Sequence, residues 1–137
     1  MAALYREKQM EKNLRERTKQ FALRIIRLYS ALPQRGASLV LGKQILKSGT
    51  SVGAHYREAQ RAKSNADFIS KVEGALQELD ETTYWLELLG DSGIVTRARL
   101  NSLHEEANEL LSILVTIVKR VKSKRTPNSL RLKTARR

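Results

Sequence analysis

Hydrophobic residues recur at steps of three and four along four stretches of the chain, which is the spacing of one face of an α-helix. Similar stripes run from Leu14 to Leu32, from Leu39 to Tyr56 and from Phe68 to Leu89. The most regular stripe lies further along, where seven apolar residues keep strictly to alternating steps. They are Leu100, Leu103, Ala107, Leu110, Leu114, Ile117 and Val121. No segment shows the alternation of period two that a half-buried strand requires.

Helix-breaking and capping residues separate these stretches. Pro33 and Gly36 follow the first, and the segment LLGDSG at 88–93 ends the third. Ser64 stands three residues before Asp67, which is the spacing of an N-terminal capping pair. The pattern predicts helices over 8–32, 37–63, 65–90 and 97–122. Because the links are short, we expect one all-α domain over 1–122, an antiparallel up-down-up-down four-helix bundle.

The segment SGTSVGAHYREAQR at 48–61 has the small residues of a phosphate-binding loop, yet it continues the apolar stripe of the second helix. It lacks both the spacing and the lysine of the Walker A motif G-x-x-x-x-G-K-[ST]. On a helical wheel, Gly49 and Gly53 fall on the same side as Ile45, Val52 and Tyr56. Glycine inside a helix costs about 1 kcal/mol relative to alanine, so we expect these two to permit close packing of a neighbouring backbone.

A basic stripe lies on the other side of the second helix, within about 80° on the wheel and roughly 130° from the core stripe. Its members are Lys43, Lys47, Arg57 and Arg61. Cations in a row can contact the phosphates of a nucleic-acid backbone. A solvated face explains them equally well, and cations near a helix C-terminus also interact favourably with the helix dipole.

The net charge of +12 is concentrated at the two ends of the chain. Residues 1–27 hold eight basic and three acidic residues, residues 123–137 hold six basic residues and no acid, and the middle is nearly neutral. This distribution favours a polyanionic partner, nucleic acid first and an acidic membrane surface second, although basic ends can also serve solubility alone. Beyond residue 122 the periodicity stops, which predicts a mobile basic tail over 123–137. The candidate RNA-contacting residues of this tail are Lys124, Arg125, Arg131, Lys133, Arg136 and Arg137.

Aromatic residues, which would stack on bases, make up only 5% of the chain. Several fall on the core stripes, and the placement of Tyr5, Tyr84 and Trp85 is ambiguous. Sequence-specific recognition of single-stranded RNA is therefore weakly supported.

The sequence offers no catalytic or metal-binding pattern. It has no cysteine, and neither His55 nor His104 follows a glutamate by three residues, as a di-metal site in a helical bundle would require. No G-x-S-x-G motif occurs, and adjacent acids on a helix point in different directions. The longest apolar run, LLSILVTIV at 110–118, is too short to span a bilayer. We expect a cytoplasmic protein that is not an enzyme, binds no cofactor and has no membrane partner.

Several residues between 44 and 93 carry a family resemblance. They are Ser48, Ser51, Val52, Gly53, Glu58 and Ala59 in the second helix, Ser64, Asp67 and Phe68 at the start of the third, and Ala75, Glu78, Trp85 and Leu86 further along it. In these positions the chain resembles the bacterial four-helix bundle family known from open reading frames in 23S rRNA intervening sequences. It departs from the family at His55, where asparagine is common. The resemblance spans about residues 20–122.

The resemblance implies a four-helix bundle that assembles as a ring-like homopentamer. The sequence is also similar to the accessory variability determinant of diversity-generating retroelements, a pentameric basic bundle, and this similarity implies RNA and a reverse transcriptase as partners. The first hypothesis is therefore a non-enzymatic, oligomeric RNA-binding protein that acts through its basic surface and termini. The alternatives are a protein-interaction scaffold, including an accessory subunit of a reverse transcriptase, and a purely structural oligomer.

Overall fold

Four helices make up the part of the chain that the structure describes, residues 2–125 of a computed structural model. They are α1 (Ala2–Ala31), α2 (Gly36–Gln60), α3 (Asn65–Asp91) and α4 (Arg97–Arg125). The all-α prediction is confirmed, and no strand occurs within residues 2–125. Each helix packs against the next, and α4 packs back against α1, so that α1 and α3 lie across the bundle from each other.

Contacts between neighbouring helices run in opposite order along the two partners, as an up-down-up-down bundle requires. In the middle of α2, Ser48 Oγ lies 2.8 Å from Thr82 Oγ1 in α3. Ten residues further along α2, Glu58 instead pairs with Lys71, near the start of α3. Ser48 and Thr82 are both buried, and the hydrogen bond between them satisfies two hydroxyl groups in the core.

The link between α2 and α3 differs from its prediction in one respect. The second helix ends at Gln60 rather than at Lys63, because the amides of Arg61 and Ala62 bond back only three residues, to the carbonyls of Glu58 and Ala59. The capping prediction is confirmed. Ser64 Oγ accepts a hydrogen bond from the Asp67 amide at 3.0 Å, which begins α3.

The outer helices are longer than predicted. Helix α1 begins at Ala2 rather than near residue 8, and α4 continues to Arg125 rather than ending at 122. The first three residues of the expected mobile tail, 123–125, are therefore helical. The first helix-breaking residue after 122 is Pro127, so nothing in the sequence stops the helix earlier. The rest of the predicted tail, 126–137, lies outside the described residues.

The predicted apolar stripe of α4 is buried over most of its length but not at its C-terminal end. Leu100 to Leu114 lie in the core, whereas Val118 is buried in place of Ile117 and Val121, which are half-buried. A straight helix turns by about 20° per heptad relative to a strict repeat of seven. The drift accounts for the exchange of Ile117 for Val118. Val121 points in the same direction as the buried Leu103, five turns earlier, and is half-buried because it lies near the end of the bundle.

Helices α1 and α2 approach closely at glycine. A Cβ atom on Gly49 would lie 2.6 Å from Cγ1 of Ile25, and one on Gly53 would lie 3.2 Å from Oγ1 of Thr18. Ile25 and Thr18 are both fully buried in α1. The predicted close packing at Gly49 and Gly53 is confirmed, and α1 is the helix that uses it.

Helices α1 and α4 meet instead through long polar side chains, and their backbones approach each other over a shorter length than those of any other neighbouring pair. Arg17 Nη2 lies 2.6 Å from Oε1 of Glu106 and 3.2 Å from Oε1 of Glu109. Two turns further along α1, Arg24 donates a hydrogen bond to Ser102 Oγ at 2.9 Å. The hydrogen bond to Glu106 raises the pKa of Arg17 above its ordinary value.

Candidate nucleic-acid interface

The four cations predicted on α2 lie on its outer side. Lys43 and Lys47 are exposed, and Arg57 is half-buried in the last turn of the helix. Arg61 is exposed but lies just outside the helix, as its C-terminal capping residue. The stripe therefore extends along most of α2 and continues into the link to α3.

The structure brings three cations of α1 alongside this stripe. Lys12, Arg15 and Lys19 are exposed and fall within about 60° of one another on the wheel of α1. Arg15 Nη1 donates to Oε1 of Gln60 in α2 at 3.1 Å, which places this side of α1 against the end of α2. We call the combined surface the α1–α2 face; its members are Lys12, Arg15, Lys19, Lys43, Lys47, Arg57 and Arg61.

The close packing at Gly53 sets the register of this face. Thr18 contacts Gly53, so Arg15 and Lys19 lie at about the level of Arg57. Sequence reasoning missed the α1 residues, because their spacing alone gives no indication of which helix lies beside them. The excess of five positive charges over residues 1–27 does indicate that this segment is basic, but not which of its cations lie beside α2.

None of the seven cations of the α1–α2 face makes an ion pair with an acid in the described part of the chain. Elsewhere cations are neutralised by acids: Lys71 pairs with Glu58, Arg97 with Asp91 and Lys122 with Glu73. Unpaired exposed cations keep their charge available for a polyanion, and each phosphate that they contact releases counterions. The face is thus chemically suited to phosphate contacts along a nucleic-acid backbone.

The predicted cations of the C-terminal segment are not part of the α1–α2 face as far as the structure describes them. Lys124 lies in the last turn of α4, at the end of the bundle where α2 passes into α3. Arg125 is the last residue of α4. The other four, Arg131, Lys133, Arg136 and Arg137, lie outside the described residues.

The aromatic residues Tyr84 and Trp85, whose placement the sequence leaves ambiguous, are on α3. Tyr84 is 53% exposed, Trp85 is half-buried, and their ring centroids are 5.1 Å apart. Helix α3 carries seven acidic residues and one lysine, whereas α1, across the bundle from it, carries eight basic and three acidic residues. The exposed ring of Tyr84 therefore lies on an acidic helix, away from the cations of the α1–α2 face.

Comparison with known proteins agrees with this fold. Residues 11–116 match the model of the 23S rRNA-intervening sequence protein family. The chain belongs to this family. It is also similar to a protein of unknown function from the S23 ribosomal protein family of Bacteroides thetaiotaomicron VPI-5482, whose crystal structure was determined at 1.70 Å resolution. That similarity covers 80% of this chain and 97% of the other, with 42% sequence identity and a TM-score of 0.75. A search of curated proteins finds no significant match.

His55, where the resemblance leads us to expect asparagine, is at the contact between α2 and α3. A Cβ atom on Gly74 would lie 3.3 Å from its Nδ1, so glycine leaves room for the imidazole ring. Nδ1 is buried without a hydrogen-bond partner and lies 3.6 Å from Oε2 of Glu58. Among the side chains that the structure describes, no group of three or more histidines and acids could hold a metal ion.

Among the described helices, none combines the length and the apolar character that crossing a membrane would require. The apolar run in α4 contributes Leu110, Leu114 and Val118 to the core, and further apolar residues of the run are half-buried against it. Its hydrophobicity is therefore explained by packing against the other helices.

Proposed function

We propose that this protein is a non-enzymatic, oligomeric RNA-binding protein of the cytoplasm that holds RNA through phosphate contacts on the α1–α2 face. The observation that carries the proposal is that cations from two adjacent helices share one exposed surface without acidic partners. Base-independent phosphate contacts need only such a surface, and they supply most of the affinity in non-specific binding. The names of the family and of the similar structure refer to ribosomal RNA and to a ribosomal protein family, which agrees with RNA as the partner.

The test is filter binding to a structured RNA over a series of salt concentrations, with two variants of equal charge. The first variant, Lys19→Gln/Arg57→Gln/Arg61→Gln, removes three cations of the α1–α2 face. The second, Lys71→Gln/Arg97→Gln/Lys122→Gln, removes three exposed cations that are already paired with acids. These exposed pairs contribute little to stability, so both variants should fold.

We expect the first variant to bind RNA at least tenfold more weakly and to lower the slope of log K against log salt by about 0.7–0.9 for each phosphate that is no longer neutralised. The second should retain the parent slope. An equal loss of affinity in the two variants would show that net charge alone controls binding. Absence of binding by the parent protein at low salt would contradict the proposed function itself.

The C-terminal segment is tested separately by ending the chain after Arg125, where α4 ends. We propose that the cations beyond it add phosphate contacts, so the shortened chain should bind RNA more weakly and with a smaller salt slope. An unchanged affinity would confine RNA binding to the bundle.

Self-association is the second part of the proposal. We expect a homopentamer, which light scattering would record as five times the 15.6 kDa mass of one chain. A monomer mass at micromolar concentration would contradict it. Val40 and Tyr84, which are 59% and 53% exposed, are apolar side chains available for contact between subunits.

The alternative function is a protein-interaction scaffold, including an accessory subunit for a reverse transcriptase. The observation that favours it is the acidic surface of α3 with the exposed ring of Tyr84, which is suited to a protein better than to RNA. Purification of the protein from its native host would separate the two. Recovery of a reverse transcriptase that remains bound after nuclease treatment would favour the scaffold.

A further inference from the structure

A cavity of about 490 Å³ opens at the end of the bundle where α2 passes into α3. The link residues 62–64, the neighbouring ends of α2 and α3, Met10 of α1 and the last turns of α4 surround it. Its size lies within the range of about 300–1,000 Å³ that is usual for small-molecule sites. At this end of the bundle Ile117 and Val121 are half-buried and line the opening instead of filling the core.

The lining combines three kinds of side chain. The apolar part includes Phe68 from α3 and Ile117 and Val121 from α4. The amides of Gln60 and Asn65 lie on the α2–α3 side and can both donate and accept hydrogen bonds. Among the lining side chains that the structure describes, every charged one is a cation: Lys63, Arg120 and Lys124.

Lys63 and Arg120 are both exposed, and neither makes an ion pair with a described residue. Their charges are therefore available to an anion at the rim of the cavity. A ligand that uses the whole lining must have a flat or compact apolar body, polar edges for the amides, and a negative group.

We propose that this cavity binds one nucleotide of the RNA, with the base inside against Phe68 and the phosphate at Lys63 and Arg120. The inference rests on the proposed function and adds a site that the α1–α2 face does not provide. A nucleobase has the apolar faces and the hydrogen-bonding edges that Gln60 and Asn65 can read, whereas the chain of a fatty acid has no polar edge. The phosphate fits the cationic rim.

The position of the cavity relative to the α1–α2 face agrees with this assignment. Arg61 belongs to the face and stands two residues before Lys63 in the same link. Gln60, which lines the cavity, accepts a hydrogen bond at 3.1 Å from Arg15 of the face. An RNA backbone that leaves the cavity therefore meets cations of the face at once, and a nucleotide held at this end would fix the register of an otherwise uniform phosphate-binding surface.

The experiment titrates the full-length protein with AMP, GMP, CMP and UMP and follows the backbone amide NMR signals. Inorganic phosphate and decanoate serve as separate probes. Ala62→Trp fills the cavity from its half-buried position in the link, and Ala98→Trp places the same side chain on an exposed site at the opposite end of the bundle. Because Ala62→Trp could disturb the link, Asn65→Ala, which changes an exposed amide at the cavity, provides a second variant.

We expect at least one mononucleotide to shift the signals of residues 60–68, and Ala62→Trp to weaken that binding by at least about tenfold, which is the scale of one base–aromatic stacking interaction. Asn65→Ala should change the preference among the four bases, and Ala98→Trp should have no effect. The combination Lys63→Gln/Arg120→Gln should weaken mononucleotide binding by about tenfold and leave adenosine unaffected. With RNA, Ala62→Trp should lower affinity while the salt slope falls by no more than the contribution of the one phosphate at Lys63 and Arg120, since the phosphate contacts of the face remain.

Three results would overturn the inference: no shift at residues 60–68 with any mononucleotide, equal binding of inorganic phosphate, or tighter binding of decanoate. If RNA binds with the expected salt slope but Ala62→Trp changes nothing, the cavity is not an RNA site and the proposed function stands. If mononucleotides bind in the cavity but the parent protein does not bind RNA, the proposed function fails and RNA is overturned as the source of the nucleotide.

Discussion

Helix α1 has two neighbours, and it meets them in different ways. Toward α2 it packs on glycine, with Ile25 against Gly49 and Thr18 against Gly53. Toward α4 it extends Arg17 to two glutamates and Arg24 to a serine hydroxyl. The arginines on the α4 side are engaged within the bundle, whereas the cations on the α2 side are left without acids. A basic helix therefore indicates a polyanion only on the side where its charges have no partner inside the protein.

Substitutions at the glycine contact between α1 and α2 should lower stability more than substitutions at the polar contact between α1 and α4. In Gly49→Leu the new side chain would begin at a Cβ only 2.6 Å from Ile25, which is fully buried and cannot move toward solvent. We expect the free energy of unfolding to fall by about 3 kcal/mol, the upper end of the range for an overpacked core. Urea unfolding measures it, with Ala54→Leu at an exposed position of the same helix as the control. Similar stabilities for the two variants would contradict the close packing of α1 on α2.

The polar contact between α1 and α4 should tolerate substitution better than the glycine contact. Arg17→Met removes the ion pairs to Glu106 and Glu109, but the side chains of Arg17 and Glu106 are 33% and 21% exposed, so water screens part of their attraction. We expect a decrease of about 1 kcal/mol in the free energy of unfolding, again by urea titration. Arg97→Met, whose pair with Asp91 is far more exposed, should be destabilised less. Equal decreases would mean that the α1–α4 pairing adds nothing to an ordinary surface pair.

The two sides of α1 can also be compared through RNA binding. Lys19→Gln and Arg17→Gln remove the same charge from positions two residues apart on α1. On the proposed function, Lys19→Gln should reduce the slope of log K against log salt by about 0.7–0.9, and Arg17→Gln should leave it unchanged because Glu106 already neutralises that cation. Filter binding over a salt series measures both slopes. A reduction by Arg17→Gln alone would place the RNA on the α4 side of α1.

The smallest expected effect separates the two glycines. Alanine at either position gains about 1 kcal/mol in helix propensity. At Gly53 the new Cβ would lie 3.2 Å from Thr18, a contact that a shift of a few tenths of an ångström relieves, so we expect little net change in stability. At Gly49 the contact with Ile25 is much closer, and Gly49→Ala should be less stable than Gly53→Ala by about 1 kcal/mol or more. Thermal unfolding of the two variants side by side decides the order.

The sequence predicts the faces of each helix well, because hydrophobic periodicity reports burial directly. It places Gly49 and Gly53 in the core and Lys43 and Lys47 on the outside, as the structure has them. It also predicts the cap at Ser64, since one hydroxyl at that spacing is enough to satisfy an amide of the first turn.

The sequence does not determine which helices become neighbours or where a helix drifts out of register. Lys12, Arg15 and Lys19 join the basic stripe only through the packing of Thr18 on Gly53. The cavity near Phe68 depends on how the ends of the four helices meet, which leaves Ile117 and Val121 half-buried although their spacing is ideal for a core. Both features depend on how the helices pack against one another, and the hydrophobic pattern of a single helix does not show this.

The opposite charges of α1 and α3 have a consequence that acts before any contact forms. With an excess of cations on one helix and of acids on the helix across the bundle, α1 and α3 together form an electric dipole perpendicular to the helix axes. In the field of any polyanion the dipole experiences a torque that turns α1 toward the negative charge and α3 away from it. The alignment weakens as salt shortens the screening length, to about 8 Å at physiological ionic strength. Orientation during approach is thus a property of the fold, in addition to its net charge.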